Sequence, residues 1–224
     1  MFEAVKGLVT EHRELERREH DRQVVPHDDA RDHGRRGDEE GDLQADGEGD
    51  LVISNGGQVI VEGADAQLVV ADSITVGSEG TGSALAISGG GTAISASGTI
   101  GAEADSTGTA TVTGFDSHWD IGEALVVGAW GTGDLTVSNQ GQVTAEEIML
   151  GGYAPVEGFG EDIREYLDPN AVLPRGTGWI NVAGGGILES DGLSIGIFGN
   201  GTMDVNDGGQ VVSGWAELGV GPDA

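Results

Sequence analysis

The densest group of side chains that could do chemistry lies at residues 116–120, which read Asp-Ser-His-Trp-Asp. A serine, a histidine and a carboxylate are the components of a nucleophilic triad, in which the imidazole accepts the serine proton and the carboxylate orients the imidazole. However, adjacent residues of a β-strand project to opposite sides of the strand. Ser117 and His118 are therefore predicted not to converge, and His118 is predicted to be a surface side chain.

Two other patterns are similar to ion-binding sites. Aspartate follows glycine in Gly47-Glu-Gly-Asp-Leu51 and in Gly131-Thr-Gly-Asp-Leu135, which approach the calcium-binding nonapeptide of β-rolls. In both, the aspartate follows its glycine directly and no nine-residue tandem is present, so the calcium signal is weak. Imidazoles and carboxylates also crowd a polar N-terminal segment, at His27, Asp28, Asp29, Asp32 and His33. No cofactor is predicted.

The charge of the chain is strongly negative and unevenly distributed. The net charge is −29, and Arg164 and Arg175 are the only Lys or Arg residues after residue 36. A surface of this sign repels nucleic acid and anionic lipid, so neither is a predicted partner. Repulsion between like-charged rods would also keep a stack with open strand edges soluble. No stretch approaches the ~20 apolar residues of a membrane span, so no membrane insertion is expected.

A short, glycine-punctuated motif recurs six times from about residue 47 onwards. Successive copies begin 34, 25, 25, 45 and 23 residues apart, at Leu51, Leu85, Ala110, Leu135, Ile180 and Met203. A period near 25 residues with two expansions predicts a repeat architecture. Each copy alternates apolar and polar residues before a glycine-rich turn, which is typical of a β-strand. A second short strand that ends in glycine follows, as at 74–77, 125–128, 148–151 and 193–196.

The length of the period distinguishes between repeat folds. A propeller blade needs four strands and ~40–50 residues, whereas two strands with glycine corners fit one coil of a β-helix. The sequence therefore predicts an all-β fold, a parallel β-helix (β-solenoid) of about six coils. Equivalent residues should stack into interior ladders. One predicted ladder is Leu51, Leu85, Leu135, Ile180 and Met203, and another is Ile53, Ile87, Val112, Val137, Val182 and Val205.

Composition divides the chain into segments. Residues 1–46 are predicted to be a charged leader, disordered or partly helical over 1–25, or else a non-native translation from a wrong start. Residues 47–221 are predicted to be the solenoid, with a slight lengthening at 62–67. Residues 222–224 would then begin a truncated next repeat.

A larger insertion at 152–175 is the candidate partner-binding loop. Insertions in solenoids map to loops on one face, and loops often carry function. The segment contains three prolines together with the aromatic and basic side chains Tyr153, Phe159, Arg164, Tyr166 and Arg175. The predicted partner is an unknown surface ligand, either a glycan or a protein.

Residues 107–151 resemble a known type of sequence repeat. The run from Val112 to Trp119, then Leu125-Val-Val-Gly128 and Gly131-Thr-Gly-Asp-Leu-Thr-Val-Ser-Asn139, resembles a known bacterial repeat. It is the glycine-rich repeat shared by autotransporter (type V secretion) passenger regions and PEP-CTERM-sorted surface proteins, with looser copies at 47–106 and 176–221. The resemblance implies a right-handed β-helix and a cell-surface or extracellular location. This location rests on the resemblance alone.

Two functions follow as expectations. The first is a structural or adhesive β-helical stalk segment of a bacterial surface or secreted protein, without catalysis. The alternative is a carbohydrate-active β-helix enzyme or a glycan-binding module. The chain lacks cysteine, which excludes thiolate chemistry, and chance carboxylate pairs among 39 acids do not indicate a glycosidase. A groove with exposed aromatics or clustered carboxylates along one sheet face would favour the alternative.

Overall fold

The computed structural model describes residues 43–44, 49–152, 176–196 and 199–219. Within these ranges all regular secondary structure is β-strand, and every strand pair is parallel. In chain order the strands are β1 (Leu43–Gln44), β2 (Leu51–Ile53), β3 (Gln58–Glu62), β4 (Gln67–Val69), β5 (Ser73–Val76), β6 (Ser83–Ser88), β7 (Thr92–Ser95), β8 (Ser97–Ile100), β9 (Thr107–Thr113), β10 (His118–Ile121), β11 (Ala124–Val127), β12 (Thr132–Ser138), β13 (Gln142–Leu150), β14 (Thr177–Val182), β15 (Ile187–Ile195), β16 (Asn200–Val205) and β17 (Gln210–Leu218).

The strands form three faces of a solenoid. Face 1 consists of β3, β6, β9, β12, β14 and β16, stacked in that order. Face 2 consists of β1, β4, β7 and β10 with the first halves of β13, β15 and β17; face 3 consists of β2, β5, β8 and β11 with their second halves. The protein is thus an all-β parallel β-solenoid of about six coils, which confirms the predicted fold class. The right-handed winding that the resemblance implies stays a prediction.

The prediction of two strands per coil is wrong, because each coil has three. Glycine recurs in every coil at only two of the three corners; at the third, between faces 2 and 3, Gly122 and Gly214 are present but Ala96 and Glu146 occupy the corner in other coils. At the third corner the backbone stays nearly extended, so β13 runs unbroken from Gln142 to Leu150 and serves faces 2 and 3 in turn. Because glycine does not recur at this corner, the sequence carries no regular signal for it, and the prediction treats the strands of faces 2 and 3 as one.

The predicted register of the first repeat is also wrong. Leu51 pairs with Ile74 on face 3, whereas Val59 pairs with Leu85 on face 1. Both strands alternate apolar and polar residues beside glycines, so the pattern could not distinguish them. With Val59 in the ladder the first spacing becomes 26 residues, close to the 25 that follow. The predicted lengthening at 62–67 is simply the turn from face 1 to face 2.

The interior is lined by apolar columns from all three faces. On face 1 the columns are Val59, Leu85, Ala110, Leu135, Ile180 and Met203, and Val61, Ile87, Val112, Val137, Val182 and Val205. Their members in the middle coils are almost completely buried. Among the described residues, Trp119 on face 2 is the largest side chain that is fully buried. Because inward-facing residues are apolar in coil after coil, burial of these columns is the main stabilising contribution.

Glycines pack against backbone where face 3 leads into face 1. Gly133 is in register with Gly178 on the next coil. A Cβ atom on Gly133 would lie 2.5 Å from the nitrogen of Gly128 and closer still to the carbonyl oxygen of Ile100. Only glycine permits so close an approach of two backbones. The Gly-Thr-Gly sequence at 131–133 is therefore a packing feature of this corner.

Most of the predicted segments other than the solenoid itself lie outside the described residues. The structure does not describe residues 1–42, where a helix is predicted over 1–25, the loop residues 153–175, or residues 220–224. Within the segment predicted to be the charged leader, Leu43–Gln44 is a strand that pairs with β4. No helix among the described residues has the length and apolar character needed to cross a membrane.

Candidate binding cleft

The loop residues predicted to contact a partner are not among those the structure describes. Tyr153, Phe159, Arg164, Tyr166 and Arg175 lie within 153–175, so their role stays a prediction. The same holds for the N-terminal group of His27, Asp28, Asp29, Asp32 and His33. Within the described ranges, no three or more His, Cys, Asp or Glu side chains are grouped so that they could hold a metal ion.

Ser117 is buried and faces the interior of a turn. Its hydroxyl donates to the carbonyl oxygen of Thr113 at 2.8 Å and accepts from the backbone N–H of Gly90 at 3.1 Å. Only 1 % of the residue is exposed. The hydroxyl is thus occupied in shaping the turn, and both of its hydrogen bonds join it to backbone groups rather than to His118.

His118 belongs instead to a hydrogen-bond chain on the outer side of face 2. The Thr144 hydroxyl donates to the Oδ1 atom of Asp120 at 2.9 Å, and His118 Nε2 lies 3.2 Å from the same hydroxyl oxygen. Because Thr144 has one proton and gives it to Asp120, the Nε2 atom of His118 is the donor in the second bond. The chain links two coils and fixes the orientation of the imidazole.

Beside His118 lies a cleft of about 560 Å³. Its floor is one outward column of face 2, in which His118, Gln142, Ile187 and Gln210 are in register on successive coils. Its wall comes from the turns between face 1 and face 2. The described residues that line the cleft are Phe115, Asp116, Ser117, His118, Gln140, Gln142, Gly185, Ile187 and Gln210.

The cleft exists because neighbouring turns differ in width. Four residues, 114–117, connect β9 to β10, whereas three residues, 139–141, make the same connection on the next coil. The extra residue is accommodated by Ser117, whose hydroxyl bonds hold the wider turn. Phe115 projects from this turn and is 69 % exposed. The turn at 184–186, two coils further along, is all glycine, and Gly185 lines the same cleft as Phe115.

Gln140 occupies a backbone position that otherwise favours glycine. The equivalent residues of the neighbouring coils are Gly90, Asp116, Gly185 and Gly208, and all five have positive φ, with Gln140 at +69°. The other described non-glycine residues with positive φ are all Asn or Asp, which tolerate this region. A left-handed glutamine costs about 1–2 kcal/mol. Such strain at a cleft commonly marks a side chain retained for function.

The electrostatic character of the described surface is uniform. Among the described residues, every acidic or basic side chain except His118 is a carboxylate. The three amides of the cleft, Gln140, Gln142 and Gln210, are neutral groups in this negative field. Each amide can donate and accept hydrogen bonds at once. The lining therefore suits a neutral, hydroxyl-bearing ligand better than an anion.

Asp134, on the outer side of face 1, has a carboxyl group whose pKa is raised. Partial desolvation raises the pKa of its carboxyl group above the ordinary value, although the side chain keeps much of its contact with solvent. Its register partner on the next coil is Trp179, which is half exposed. A raised pKa means that ionisation of Asp134 costs folding free energy, so its contribution to stability falls as pH rises through that pKa.

We expect Asp134→Asn to stabilise the protein at pH 7. The gain in unfolding free energy should be below about 1 kcal/mol, because an exposed charge is screened by solvent. Urea unfolding at pH 7 and at pH 3 measures it, and the gain should disappear at pH 3, where the carboxyl is protonated in both states. Asp204→Asn, on the same face, controls for the loss of one negative charge. An equal gain from both variants would refute the desolvation argument.

Sequence reasoning did not find the cleft. Its signals were present, namely one turn that is a residue longer than its neighbours and a glutamine where other coils have glycine. They become visible only when the coils are aligned in the correct register. The aromatic side chain of Phe115 lay within the motif that carries the resemblance, but its exposure depends on the width of the turn.

Comparison with known proteins adds no relative to this description. No protein-family model matches the chain, and neither a curated protein nor a solved structure matches it.

Proposed function

We propose that the protein is a structural and adhesive β-solenoid, a stalk segment of a bacterial surface or secreted protein that presents binding surfaces and performs no catalysis. The observation that carries this proposal is the separation between core and surface. The apolar columns of the three faces stabilise each coil, while turns and outward columns vary without disturbing them. Such a scaffold suits presentation of contacts along its side.

The polar groups of the interior support the same reading. Buried side-chain oxygen and nitrogen atoms among the described residues all have hydrogen-bond partners. Ser117 and Ser106 satisfy backbone groups within turns, and Ser95 accepts from the indole of Trp119. These buried hydroxyl groups stabilise the coil and its corners. The chemistry available to a ligand therefore lies on the outside.

The second candidate function is a glycan-binding module, and the cleft favours it. An exposed phenyl ring beside the outward-facing amides of Gln142 and Gln210 is the arrangement expected for carbohydrate recognition along one sheet face. A hydrolytic role is less well supported. Glycoside hydrolysis uses two carboxyl groups that flank the scissile bond, and the described lining contributes one, Asp116. Binding is thus the chemistry that the lining supports best.

The location is tested on cells of the producing bacterium. Antibodies raised against the full chain are applied to intact and to permeabilised cells, and the culture medium is analysed by immunoblot. We expect labelling of intact cells or protein in the medium. Signal that appears only after permeabilisation, with none in the medium, would overturn the surface assignment. Trypsin shaving is unsuitable, because no Lys or Arg lies between Arg36 and Arg164.

A further inference from the structure

We propose that the cleft between Phe115 and the outward column of face 2 that contains Gln142 and Gln210 binds a neutral polysaccharide, which lies along the solenoid axis. The inference rests on the proposed adhesive function and names its ligand class. The cleft is lined by a protruding aromatic ring, three amides and an apolar floor residue. This combination matches the two sides of a pyranose ring, which has an apolar face of C–H groups and a polar rim of hydroxyl groups.

The amides of the cleft are spaced along the solenoid axis at a distance that suits successive sugar units of a polysaccharide. Gln142 and Gln210 occupy the same outward column, two coils apart, with Ile187 between them. Coils rise by about 4.8 Å, so the two amides are about 10 Å apart. One coil rise is similar to the advance of one pyranose ring along an extended glycan. Each amide can donate to one hydroxyl group and accept from another.

Phe115 and Ile187 supply the apolar contacts. Phe115 is the most exposed aromatic side chain described, at 69 %, and its ring stands at the edge of the cleft. Exposed phenyl rings lose contact with water when a ligand covers them, which is the favourable term in binding. Ile187 is partly exposed at the floor. A sugar ring seated over Ile187 would bring its hydroxyl rim to the flanking amides.

Gln140 gives an independent reason to expect a ligand. Glycine occurs at its position in three of the neighbouring coils, with the same positive φ. The glutamine side chain extends toward Gly185, since a Cβ atom on Gly185 would lie 3.5 Å from its Cγ. The strained residue thus places an amide in the cleft, where glycine would serve the fold better. A residue that costs stability and reaches into a cleft fits a binding role.

The charge of the surface selects neutral glycans over acidic ones. No described residue carries a guanidinium or ammonium group, and Asp116 lies in the lining itself. Uronate or sulfate groups would meet a negative field without a cation to pair with them. The polysaccharide is therefore expected to lack carboxylate and sulfate groups.

The test uses the full 224-residue chain and isothermal titration calorimetry. The probes are neutral hexasaccharides of β-linked glucose, xylose, mannose and N-acetylglucosamine, together with hexagalacturonate as the acidic comparison. We expect at least one neutral probe to bind and hexagalacturonate to bind at least tenfold more weakly. Equal binding of the acidic probe, or no binding of any neutral probe, would overturn the proposal.

Two variants of cleft residues test whether the polysaccharide binds in the cleft. Phe115→Ala and Gln140→Gly should each weaken binding of the neutral probe about tenfold. Gln140→Gly should also raise the thermal unfolding midpoint by about 2–4 °C, because it relieves the left-handed strain. Trp179→Ala, an exposed aromatic on face 1, and Asp207→Gly, a left-handed residue outside the lining, should leave affinity unchanged. Unchanged affinity in both cleft variants would refute the site.

The two proposals fail in different experiments. A protein that labels on intact cells but binds no neutral hexasaccharide keeps its surface function and loses this ligand class. A protein found only inside cells loses the adhesive function, whatever it binds in the calorimeter. Higher stability with lower affinity in Gln140→Gly is the result that a purely structural role for Gln140 would not produce.

Discussion

Replacing Trp119 by alanine is expected to lower the free energy of unfolding by about 3–5 kcal/mol. Trp119 has no exposed surface and stacks between Ala93 and Val143 in the inward column of face 2. Its ring extends to the space beside Gly98, where a Cβ atom would lie 3.0 Å from it. Small residues next to the indole show that the coils are packed around its volume. Alanine would leave a cavity that rigid neighbouring coils cannot close.

The loss should include a polar component. The indole Nε1–H donates to Ser95 Oγ at 3.3 Å, and the serine is itself buried. Urea unfolding followed by the β-sheet circular dichroism signal measures the change. Trp179→Ala is the matched control, because Trp179 is half exposed, and its cost should be less than about 1 kcal/mol. Similar losses from both substitutions would contradict the packing described for face 2.

Replacing Gly133 by alanine is expected to cost about 3 kcal/mol or more, although it adds a single methyl group. The new Cβ atom would press both on the backbone carbonyl group of Ile100 and on the nitrogen of Gly128. Backbone atoms cannot rotate away as a side chain can. The corner between faces 3 and 1 would have to open, and the pairing of β12 with its neighbours would weaken.

Gly49→Ala provides the control for this second substitution. No described residue lies within 4 Å of a Cβ atom on Gly49, so its cost should be within about 0.5 kcal/mol. Thermal unfolding of both variants by circular dichroism compares them directly. A Gly133→Ala protein as stable as Gly49→Ala would mean that the corner backbones do not approach as closely as described.

The sequence by itself determined the class of fold and most of the interior. Inward-facing residues of a solenoid must be apolar in every coil, so period-2 alternation identified Leu85, Leu135 and Ile180 as members of one column. In the structure Ala110 lies between Leu85 and Leu135 in this column, and Leu135 pairs directly with Ile180. Glycine at tight corners located the ends of face 3, because few other residues adopt positive φ. Both signals are local to each copy of the repeat, and their recurrence at a period near 25 residues aligned the copies.

Only the tertiary structure decided which strands stack on which. Parallel strands pair through backbone groups that are the same in every residue, so an apolar strand such as β2 can be aligned with either face from its sequence. The structure places Leu51 with Ile74 and gives Val59 its position beside Leu85. Packing of whole coils, which depends on turn lengths at all three corners, removes that ambiguity.

The cleft is likewise a product of the tertiary structure. It depends on the contrast between a wide turn bearing Phe115 and a glycine turn at 184–186, which are about 70 residues apart in the chain and two coil spacings apart in the stack. Local sequence cannot show that contrast, because neither turn is unusual alone. Stacking brings the turns together, and the difference in their widths then becomes a surface on which a ligand can lie.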